Sequence, residues 1–371
     1  MFSNTKESDL VRILSVDLKH FRCFGTLHLN FNSSVVLLTG SNGTGKTSVL
    51  EMLHYACYLK SFKTSVPKEM VQLGTPGFNA TITITADTSL DMLSVSFAHN
   101  RRTVKINQKT VSSFKELYGL YKAITMTEED LMLVKGSPSL RRTFLDQFLT
   151  LLDPTYALLL RKYKQILDNR NALLAHYKGD HESYVLWTEQ LWHLSRILQN
   201  KRIELLKTLE THALALNTPV LGTEYTIKLT YEYARPYTIT TQTSGTEFIS
   251  CFPTLLEREL YQKRTLFGAH LDDFTIEFQQ KSSRIYASRG QQKLIVFLLK
   301  LAQVTILNQR AHNCVIFLID DFMTDLDTTK AAALLELIIP LAAQTIITSP
   351  VRHSFLEQEL AKYHATHEEL L

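Results

Sequence analysis

The sequence has few of the residues that cross-link small extracellular proteins. It contains only four cysteines in 371 residues: Cys23, Cys57, Cys251 and Cys314 lie far apart, with no C-x-x-C pair. This spacing argues against a disulfide framework and a cysteine metal site, and it is typical of a reducing cytoplasm. With 13 glycines and nine prolines, a collagen-like or low-complexity chain is also excluded.

Long apolar runs and a strong net charge are missing as well. Residues 1–12 carry charges where a signal peptide needs an apolar stretch. The most apolar stretch, 294–302, is interrupted by Lys300 and is about half the length needed to span a bilayer. The 40 Lys and Arg residues nearly balance the 36 Asp and Glu residues, so no overwhelming basic field points to nucleic acid. We expect a soluble, cytoplasmic protein without a membrane partner.

Hydrophobic periodicity changes twice along the chain. In the first third, short apolar runs separated by turn residues predict strands at 13–18, 35–39, 80–85, 92–98 and 102–106. A single helix is predicted among them, from Thr47 to about Lys60. From 140 to about 216 the apolar residues recur every three or four positions, which indicates helices.

The last hundred residues return to alternating strands and helices. The predicted strands there are 274–278, 315–319 and 344–348, and the predicted helices are 289–307 and 328–337. Strand–helix–strand order favours a parallel sheet. We therefore predict an α/β protein in which head segments 1–125 and 265–371 flank a mostly helical part at 126–264.

The most specific pattern is a glycine-rich segment that fits G-x-x-x-x-G-K-[ST] at every position. Its eight residues are Gly40, Ser41, Asn42, Gly43, Thr44, Gly45, Lys46 and Thr47. The segment follows a buried strand and opens a helix, which is the context that a phosphate-binding loop requires. Lys46 would reach the β and γ phosphates, and the Thr47 hydroxyl would help to hold Mg²⁺. We therefore predict ATP and Mg²⁺ as cofactors rather than a simple glycine turn.

Two aspartates follow the apolar strand 315–319. Acids at the carboxyl end of a buried parallel strand face the crevice in which nucleotides bind. Asp320 would hold the metal, and Asp321 would polarise the attacking water as a general base. Since paired aspartates also cap turns, their functional interpretation depends on the phosphate loop.

A second glycine turn precedes the helix that begins near residue 289. Ser288, Gly290 and Gln291 lie at the start of this helix, where free N–H groups and the helix dipole attract an anion. This turn has no lysine–threonine pair, so it differs from the first loop. Two unlike half-sites favour completion by dimerisation, whereas an ordinary serine N-cap is the alternative.

These elements, in this order, resemble the ABC-type ATPases of chromosome maintenance, a group that includes the SMC proteins. Segment 288–291 looks like their signature motif, 324–327 like the D-loop and 344–348 like the switch strand. Within the group the chain is most similar to the RecF family. The matching segments are 18–24, 129–146, 169–174, 187–191 and 268–273, and the resemblance covers about residues 13–350.

The resemblance implies an ABC-type ATPase head (lobe I) with an inserted, mostly helical lobe II. It also implies an ATP-dependent DNA-binding protein of recombinational repair, replication restart and the SOS response. Such a protein forms an ATP-dependent homodimer on double-stranded DNA or duplex/single-strand junctions. It is a weak DNA-dependent ATPase whose slow hydrolysis acts as a release switch, and it helps to load RecA with RecO and RecR.

The resemblance also assigns roles to single residues. The glycine loop would bind ATP, and Asp320 and Asp321 would bind the metal and act in hydrolysis. Ser288 and Gly290 would contact the γ-phosphate held by the partner, and Arg22 would contact the nucleotide or the dimer partner. The chain departs from the family at Arg289, which replaces a glutamine, and at Ala269 and Leu271, which replace a proline and an arginine.

Two other functions stay open at this point. An ABC transporter subunit would need a much shorter spacing than the 242 positions between Lys46 and Ser288, and it would lack the helical part. A non-hydrolysing, ATP-gated clamp for DNA or partners is the second alternative, because the departures at Arg289 and Leu271 could have relaxed the chemistry.

Two basic segments are candidates for DNA contact. The first comprises Arg101, Arg102, Lys105 and Lys109, and the second comprises Arg161, Lys162 and Lys164. Lysine and arginine on an outward face would meet phosphates without reading sequence. A merely solvated face explains both segments equally well.

Overall fold

The structure is a computed structural model, which describes residues 11–86, 89–111, 117, 120–221, 226–234, 240, 242–310, 315–350 and 353–370. Two compact units make up the chain. The first comprises Met1–Asp130, Thr218–Gly222 and Phe297–Leu371, and the second comprises Leu131–Asn217 and Thr223–Val296. The division after residues 125 and 264 stays a prediction.

In chain order the strands are β1 (Arg12–Phe21), β2 (Phe24–Asn30), β3 (Val35–Thr39), β4 (Gly77–Ala86), β5 (Ser89–Ala98), β6 (Arg101–Ile106), β7 (Lys109–Thr110), β8 (Lys122–Met126), β9 (Ile227–Glu232), β10 (Asp273–Phe278), β11 (Lys281–Ser282), β12 (Val315–Ile319), β13 (Gln344–Ser349) and β14 (Thr366–Glu369). The helices are α1 (Lys46–Tyr58), α2 (Met132–Lys135), α3 (Pro138–Leu152), α4 (Thr155–Ala175), α5 (His181–Leu221), α6 (Gly245–Ser250), α7 (Phe252–Gln262), α8 (Ser283–Tyr286), α9 (Arg289–Arg310), α10 (Thr328–Leu341) and α11 (Ser354–Ala361). Single 3-10 turns lie at Pro67–Met70 and Glu128–Leu131.

A five-stranded parallel sheet forms the centre of the first unit. Its strand order is β14-β3-β13-β12-β8, and every neighbouring pair is parallel. Strands β3, β12 and β13 are buried at every position, as expected for a parallel sheet that is covered on both faces. The predicted parallel sheet is therefore confirmed. Its strands end at one edge, which gathers residues that are distant in sequence.

A six-stranded antiparallel sheet is the second layer of this unit, in the order β2-β1-β4-β5-β6-β7. Its apolar side chains alternate with polar ones along each strand, for example Leu93, Val95 and Phe97 in β5. Helix α1 shares one apolar core with both sheets. Its Tyr55 ring contacts Phe78 of β4, and its Leu53 carbonyl accepts a hydrogen bond from Tyr121.

The second unit is mostly helical. Helices α2 to α4 and α6 to α8, most of α5 and the first turns of α9 belong to it, together with the small antiparallel sheet β11-β10-β9. The long helix α5 covers 41 residues. The predicted helical character of 140–216 is confirmed, since only short turns interrupt α3, α4 and α5.

One helix, α9, has the length and apolar composition that a membrane span needs, but 83% of its apolar window is buried. Burial of this kind is what a core helix of a water-soluble fold shows. The ring of its Phe297 meets the ring of Phe322, which lies beyond β12, edge to face with centroids 5.6 Å apart. The helix therefore serves as a packing element of the fold.

A fully buried ion pair organises the second unit. The Arg170 guanidinium lies 2.5 Å from the Glu259 carboxylate, and both side chains have no exposed surface. Arg170 also donates to the Thr188 hydroxyl, and its guanidinium carbon lies 4.9 Å from the ring centroids of Tyr184 and Phe267. Such a charge is tolerated only because every donor has a partner.

Removing one member of this pair is expected to unfold the second unit. Arg170→Met would leave the Glu259 carboxylate buried without its partner, at a cost of about 3–5 kcal/mol. Urea titration followed by tryptophan fluorescence measures this loss, since Trp192 lies in the same unit. The matched control is Lys201→Met, which removes an exposed pair with Asp153 and should cost less than about 1 kcal/mol. Equal losses in both variants would contradict the role given to Arg170.

Candidate functional site

The glycine loop between β3 and α1 depends on backbone conformations that favour glycine. Gly40, Gly43 and Gly45 have φ values of 151°, 91° and 99°. A Cβ at Gly40 would lie 2.3 Å from the carbonyl oxygen of Leu370, and one at Gly45 would lie 2.3 Å from the Phe24 ring. No side chain caps α1, which begins directly after Gly45. The loop therefore leaves the first N–H groups of this helix available to an anion.

Lys46 folds back over this loop. Its Nζ donates to the carbonyl oxygens of Gly40 and Ser41, both at 2.9 Å, and the residue is only 6% exposed. A buried ammonium with two backbone acceptors is held in place and can exchange those acceptors for phosphate oxygens, which carry more negative charge. The lysine is thus positioned within the cradle that the glycines form.

The Asp320 carboxylate is the meeting point of three segments. Its Oδ1 accepts hydrogen bonds from the Thr47 hydroxyl at 3.0 Å and from the Thr348 hydroxyl at 2.8 Å. Its backbone N–H donates to the Met126 carbonyl at the end of β8. The structure therefore brings the predicted metal residues Thr47 and Asp320 together, 273 positions apart in the chain.

Asp321 has an unusual backbone. Its φ is 48°, a left-handed conformation that aspartate adopts more readily than most residues. Its N–H donates to the Thr348 hydroxyl at 2.9 Å, and the next N–H, of Phe322, donates to the Thr348 carbonyl. Thr348 thus supports both aspartates, and the sequence reasoning missed this role. The available signal was its place at the end of the predicted strand 344–348, which resembles the switch strand.

Arg22 lies beside the phosphate loop but is held by α1. Its Nε and Nη2 donate to the two carboxylate oxygens of Glu51 at 2.8 and 2.6 Å, and its Nη1 donates to the Glu69 carbonyl. The hydrogen bonds to Glu51 raise the pKa of the guanidinium above its usual value, against the opposing effect of burial. Glu51 is fully buried and was not predicted. The predicted nucleotide contact of Arg22 stays a proposal.

Below the loop, a polar cluster fastens α1 to β8. The His54 ring nitrogen Nδ1 pairs with the Thr125 hydroxyl at 2.8 Å. Lys300 of α9 donates to the Thr125 carbonyl at 2.7 Å and forms an ion pair with Asp130 at the same distance. Burial and the positive charge of Lys300 lower the pKa of His54 to about 3. A neutral histidine of α1 thus links the helix that follows the phosphate loop to β8.

The second glycine turn lies in the second unit. The Ser288 N–H donates to the Gln291 side-chain oxygen at 2.9 Å, and the Gln291 N–H points back to the Ser288 hydroxyl at 3.3 Å. This reciprocal arrangement is a capping box at the start of α9. It agrees with the N-cap alternative that the sequence left open. The proposed contact of Ser288, Gly290 and Gln291 with a partner nucleotide is compatible with this geometry, since Ser288 is exposed.

Other segments that match the RecF pattern form internal polar contacts. Arg141 makes a two-pronged pair with Asp273 at 2.7 and 2.8 Å, and Arg142 donates to the carbonyl of Asp272. His270 pairs with the Tyr163 hydroxyl at 2.8 Å, and burial lowers its pKa to about 4. These residues therefore support the second unit from within.

The two basic segments differ in their surroundings. Arg102 lies on the same side of β6 as the buried Val104 and donates to the Leu59 carbonyl. Arg101 and Lys109 are exposed, as are the three basic residues of α4, namely Arg161, Lys162 and Lys164. Both segments thus carry exposed charge, and Arg102 in addition makes a hydrogen bond to a backbone carbonyl.

Among the described residues, no group of three or more His, Cys, Asp or Glu side chains could hold a metal ion. Cys23, Cys57 and Cys251 are not in disulfide bonds, and Cys314 lies outside the described residues. The donor set at Thr47 and Asp320, a hydroxyl and a carboxylate, contains the hard oxygen ligands that Mg²⁺ prefers. The glycine cradle and Lys46 suit a triphosphate.

Comparison with known proteins supplies the family context. The family model described as RecF/RecN/SMC N terminal domain matches residues 12–369. A DNA replication and repair protein RecF from Acholeplasma laidlawii is 30% identical over 320 residues, covering 86% of this chain and 88% of the relative. Another from Natranaerobius thermophilus is 28% identical over 361 residues, covering 93% and 92%.

Solved structures show the same fold. The recombination mediator protein RecF with ATP, from the RecFOR pathway, superposes with a TM-score of 0.79 at 23% identity, covering 95% of each chain. The Smc head domain of Pyrococcus furiosus gives 0.53 at 13% identity, covering 94% of this chain and 92% of that one. The predicted α/β fold of an ABC-type ATPase head and the resemblance to RecF proteins are confirmed.

Two glycines of the loop should respond differently to alanine. At Gly40 an added Cβ meets the Leu370 backbone, so Gly40→Ala should cost about 3 kcal/mol or more. At Gly43 nothing lies within 4 Å, and Gly43→Ala should cost only the conformational strain of about 1 kcal/mol. Thermal unfolding without nucleotide compares the two. A Gly43 variant as unstable as the Gly40 variant would show that the close approach to Leu370 is unimportant.

The neutral His54 predicts a dependence of stability on pH. Because its folded pKa is about 3 and its unfolded pKa about 6.5, its contribution is complete above about pH 6.5 and declines as pH falls toward 3. The free energy of unfolding should therefore fall less between pH 6.5 and 4.5 in His54→Gln than in the wild type. Urea titrations at each pH measure this difference. Parallel pH profiles would show that His54 titrates normally in the folded protein.

Proposed function

Since this chain belongs to the RecF/RecN/SMC N-terminal domain family, where its relatives are RecF proteins, we propose that it is an ATP-dependent DNA-binding protein of recombinational repair and replication restart. The carrying observation is the contact of Thr47 and Thr348 with the Asp320 carboxylate at the mouth of the glycine loop. This contact joins the phosphate loop to the acidic strand end, as nucleotide hydrolysis requires.

ATP binding follows from the loop residues. Backbone N–H groups from Gly40 to Thr47 surround the phosphates, and Lys46 exchanges its two carbonyl acceptors for phosphate oxygens. Thr47 and Asp320 hold Mg²⁺, which when bound neutralises negative charge on the phosphates. Arg22 stays near the nucleotide through Glu51, which is anchored on the same helix as Thr47.

Hydrolysis is assigned to Asp321. Its carboxylate orients a water molecule and accepts its proton as the water attacks the γ-phosphorus, while the bond from the γ-phosphorus to the bridging β–γ oxygen breaks and ADP leaves. The left-handed backbone, held by Thr348, fixes the direction in which Asp321 leaves the strand. Aspartate is one methylene shorter than glutamate and reaches less far, which favours the slow turnover of a weak ATPase.

Dimerisation couples the binding of ATP to the binding of DNA. Ser288, Gly290 and Gln291 of one copy contact the γ-phosphate held by the other copy, and these contacts exist only in the closed dimer. The dimer closes on double-stranded DNA or a duplex/single-strand junction, where exposed lysines and arginines meet phosphates. Hydrolysis removes the γ-phosphate contacts, so the dimer opens and releases DNA.

In the cytoplasm this switch marks gaps in DNA, and RecO and RecR type mediators use it there to load RecA. Two solved structures of the recombination mediator protein RecF, from the RecFOR pathway, support this assignment.

Substitution of the loop lysine tests ATP binding and its coupling to DNA. Lys46→Ala should lower ATP affinity at least about 100-fold and abolish ATP-dependent dimers on duplex DNA, because the phosphates lose their cation. Sedimentation of the protein with labelled duplex, with and without ATP, measures both effects. Lys60→Ala, an exposed lysine just beyond α1, is the control and should behave as wild type. A wild-type protein that stays monomeric with saturating ATP and DNA would refute the dimer mechanism.

Hydrolysis is tested separately at Asp321. Asp321→Asn keeps the left-handed backbone, which asparagine also tolerates, but removes the base. Phosphate release should fall about 100-fold or more, while ATP-dependent DNA binding persists and lasts longer. Unchanged, near-zero phosphate release in wild type and variant would instead favour the non-hydrolysing clamp.

A further inference from the structure

A basic cavity lies in the second unit, apart from all the residues assigned so far. It has a volume of about 340 Å³ and opens to solvent beside the segment that joins α7 to β10. Its lining residues are Ala234, Arg258, Gln262, Arg264, Thr265, Leu266 and Leu271. Two arginines and no carboxylate line it among the described residues, so the cavity carries net positive charge.

One of the two guanidinium groups is held by a weak local acceptor. Arg264 donates from Nε and Nη2 to a single oxygen, the side-chain oxygen of Gln262, at 3.2 and 3.1 Å. Charge-assisted hydrogen bonds to an anion are shorter, about 2.7–2.9 Å, and about twice as strong. The Nε and Nη2 groups of Arg264 therefore share one neutral acceptor, the Gln262 oxygen. An anion with two oxygens would replace this acceptor and give each donor its own partner.

The nearby carboxylates cannot serve as that anion. Glu259, which follows Arg258, uses its oxygens on Arg170 and on the Leu266 N–H. Asp272, which follows Leu271, accepts from Ala234 N–H at one oxygen and from Gln199 and Tyr231 at the other. Internal partners thus occupy the oxygens of these two carboxylates, and the exposed Arg264 keeps the Gln262 side-chain oxygen as its acceptor.

The cavity wall is rigid. Thr265, next to Arg264, accepts a hydrogen bond from buried Arg170 and donates to the Asn171 side chain at 2.7 Å. Gly268 turns the segment with φ of 110°, and the Leu271 N–H closes that turn on the Gly268 carbonyl. A site built on such supports loses little entropy when it binds a ligand.

We propose that this cavity binds one phosphate group of a nucleic-acid backbone, with Arg258 and Arg264 as its ligands. The inference rests on the proposed function, because it assigns a DNA contact to a part of the chain that neither basic segment predicted. A phosphate has two oxygens for the paired Nε and Nη2 donors of Arg264. It also supplies the negative charge for which the described lining residues provide no carboxylate. The apolar side chain of Leu271, which is 38% exposed, covers one side of the bound phosphate.

Duplex binding in the presence of ATP tests the proposal over a range of salt concentrations. Each phosphate contact contributes about 0.9 to the slope of log affinity against log salt. Arg264→Gln should reduce that slope by about one and weaken binding about fivefold at low salt, and Arg258→Gln should act in the same direction. Arg264→Lys keeps the charge but not the fork, so it should restore most of the slope but not the full affinity.

The control is Lys207→Gln, which removes one exposed positive charge of the same unit outside the cavity lining. It should keep the wild-type slope and affinity. If wild type and control bind DNA while Arg264→Gln keeps the full slope, the cavity proposal is wrong and the proposed function stands. Failure of wild type itself to bind DNA would instead refute the proposed function.

Two further outcomes would also overturn the proposal. The first is stabilisation of wild type by inorganic phosphate, lost in Arg264→Gln, with an unchanged DNA slope; the cavity then takes free phosphate. The second is a lower melting temperature of Arg258→Gln and Arg264→Gln with no change in slope. In that case the arginines only offset the negative C-terminal end of α7.

Discussion

A parallel sheet that ends its strands at one edge is the constraint on which the rest of this protein depends. At that edge the Asp320 carboxylate receives the hydroxyls of Thr47 and Thr348, and its own backbone is tied to β8. No one of these segments contains a complete site. The strand order β14-β3-β13-β12-β8 brings them together, and burial of the strands on both faces prevents any slip of register that would separate them.

Those parts of the site that consist of consecutive residues could be predicted from the sequence. The glycine loop, its flanking strand and helix, and the acids after β12 all follow local rules, and the observed bounds agree within a few residues. Contacts between distant residues were not predictable in this way. Glu51 and Thr348 stand in ordinary apolar segments, and only the fold places them against Arg22 and the aspartates. Strand β14, with its polar sequence, lacked any apolar pattern from which to predict it.

The segments that resemble the RecF family place much of their charge against internal partners. Near the glycine loop, Arg22 donates to the Glu51 carboxylate and to the Glu69 carbonyl. In the second unit they are consumed internally: Arg170 is fully buried with Glu259, and Arg141 grips Asp273. A match to a family motif therefore does not by itself identify a ligand contact. The cavity at Arg258 and Arg264 illustrates the converse, since both arginines lie outside the matched segments although the cavity stands on that internal framework.

The closure of the glycine loop by Leu370 has a consequence for the synthesis of the chain. Gly40 packs directly against the carbonyl of Leu370, the residue that follows β14. In the sheet, β3 lies between β13 and β14. On the ribosome, β3 and the loop emerge about 300 residues before either neighbour, and such long-range pairings form slowly. Until then a strand of five apolar or hydroxyl residues has no sheet to enter. The growing polypeptide must therefore keep the glycine loop unfinished, and shielded from aggregation, until β13 and β14 have been translated.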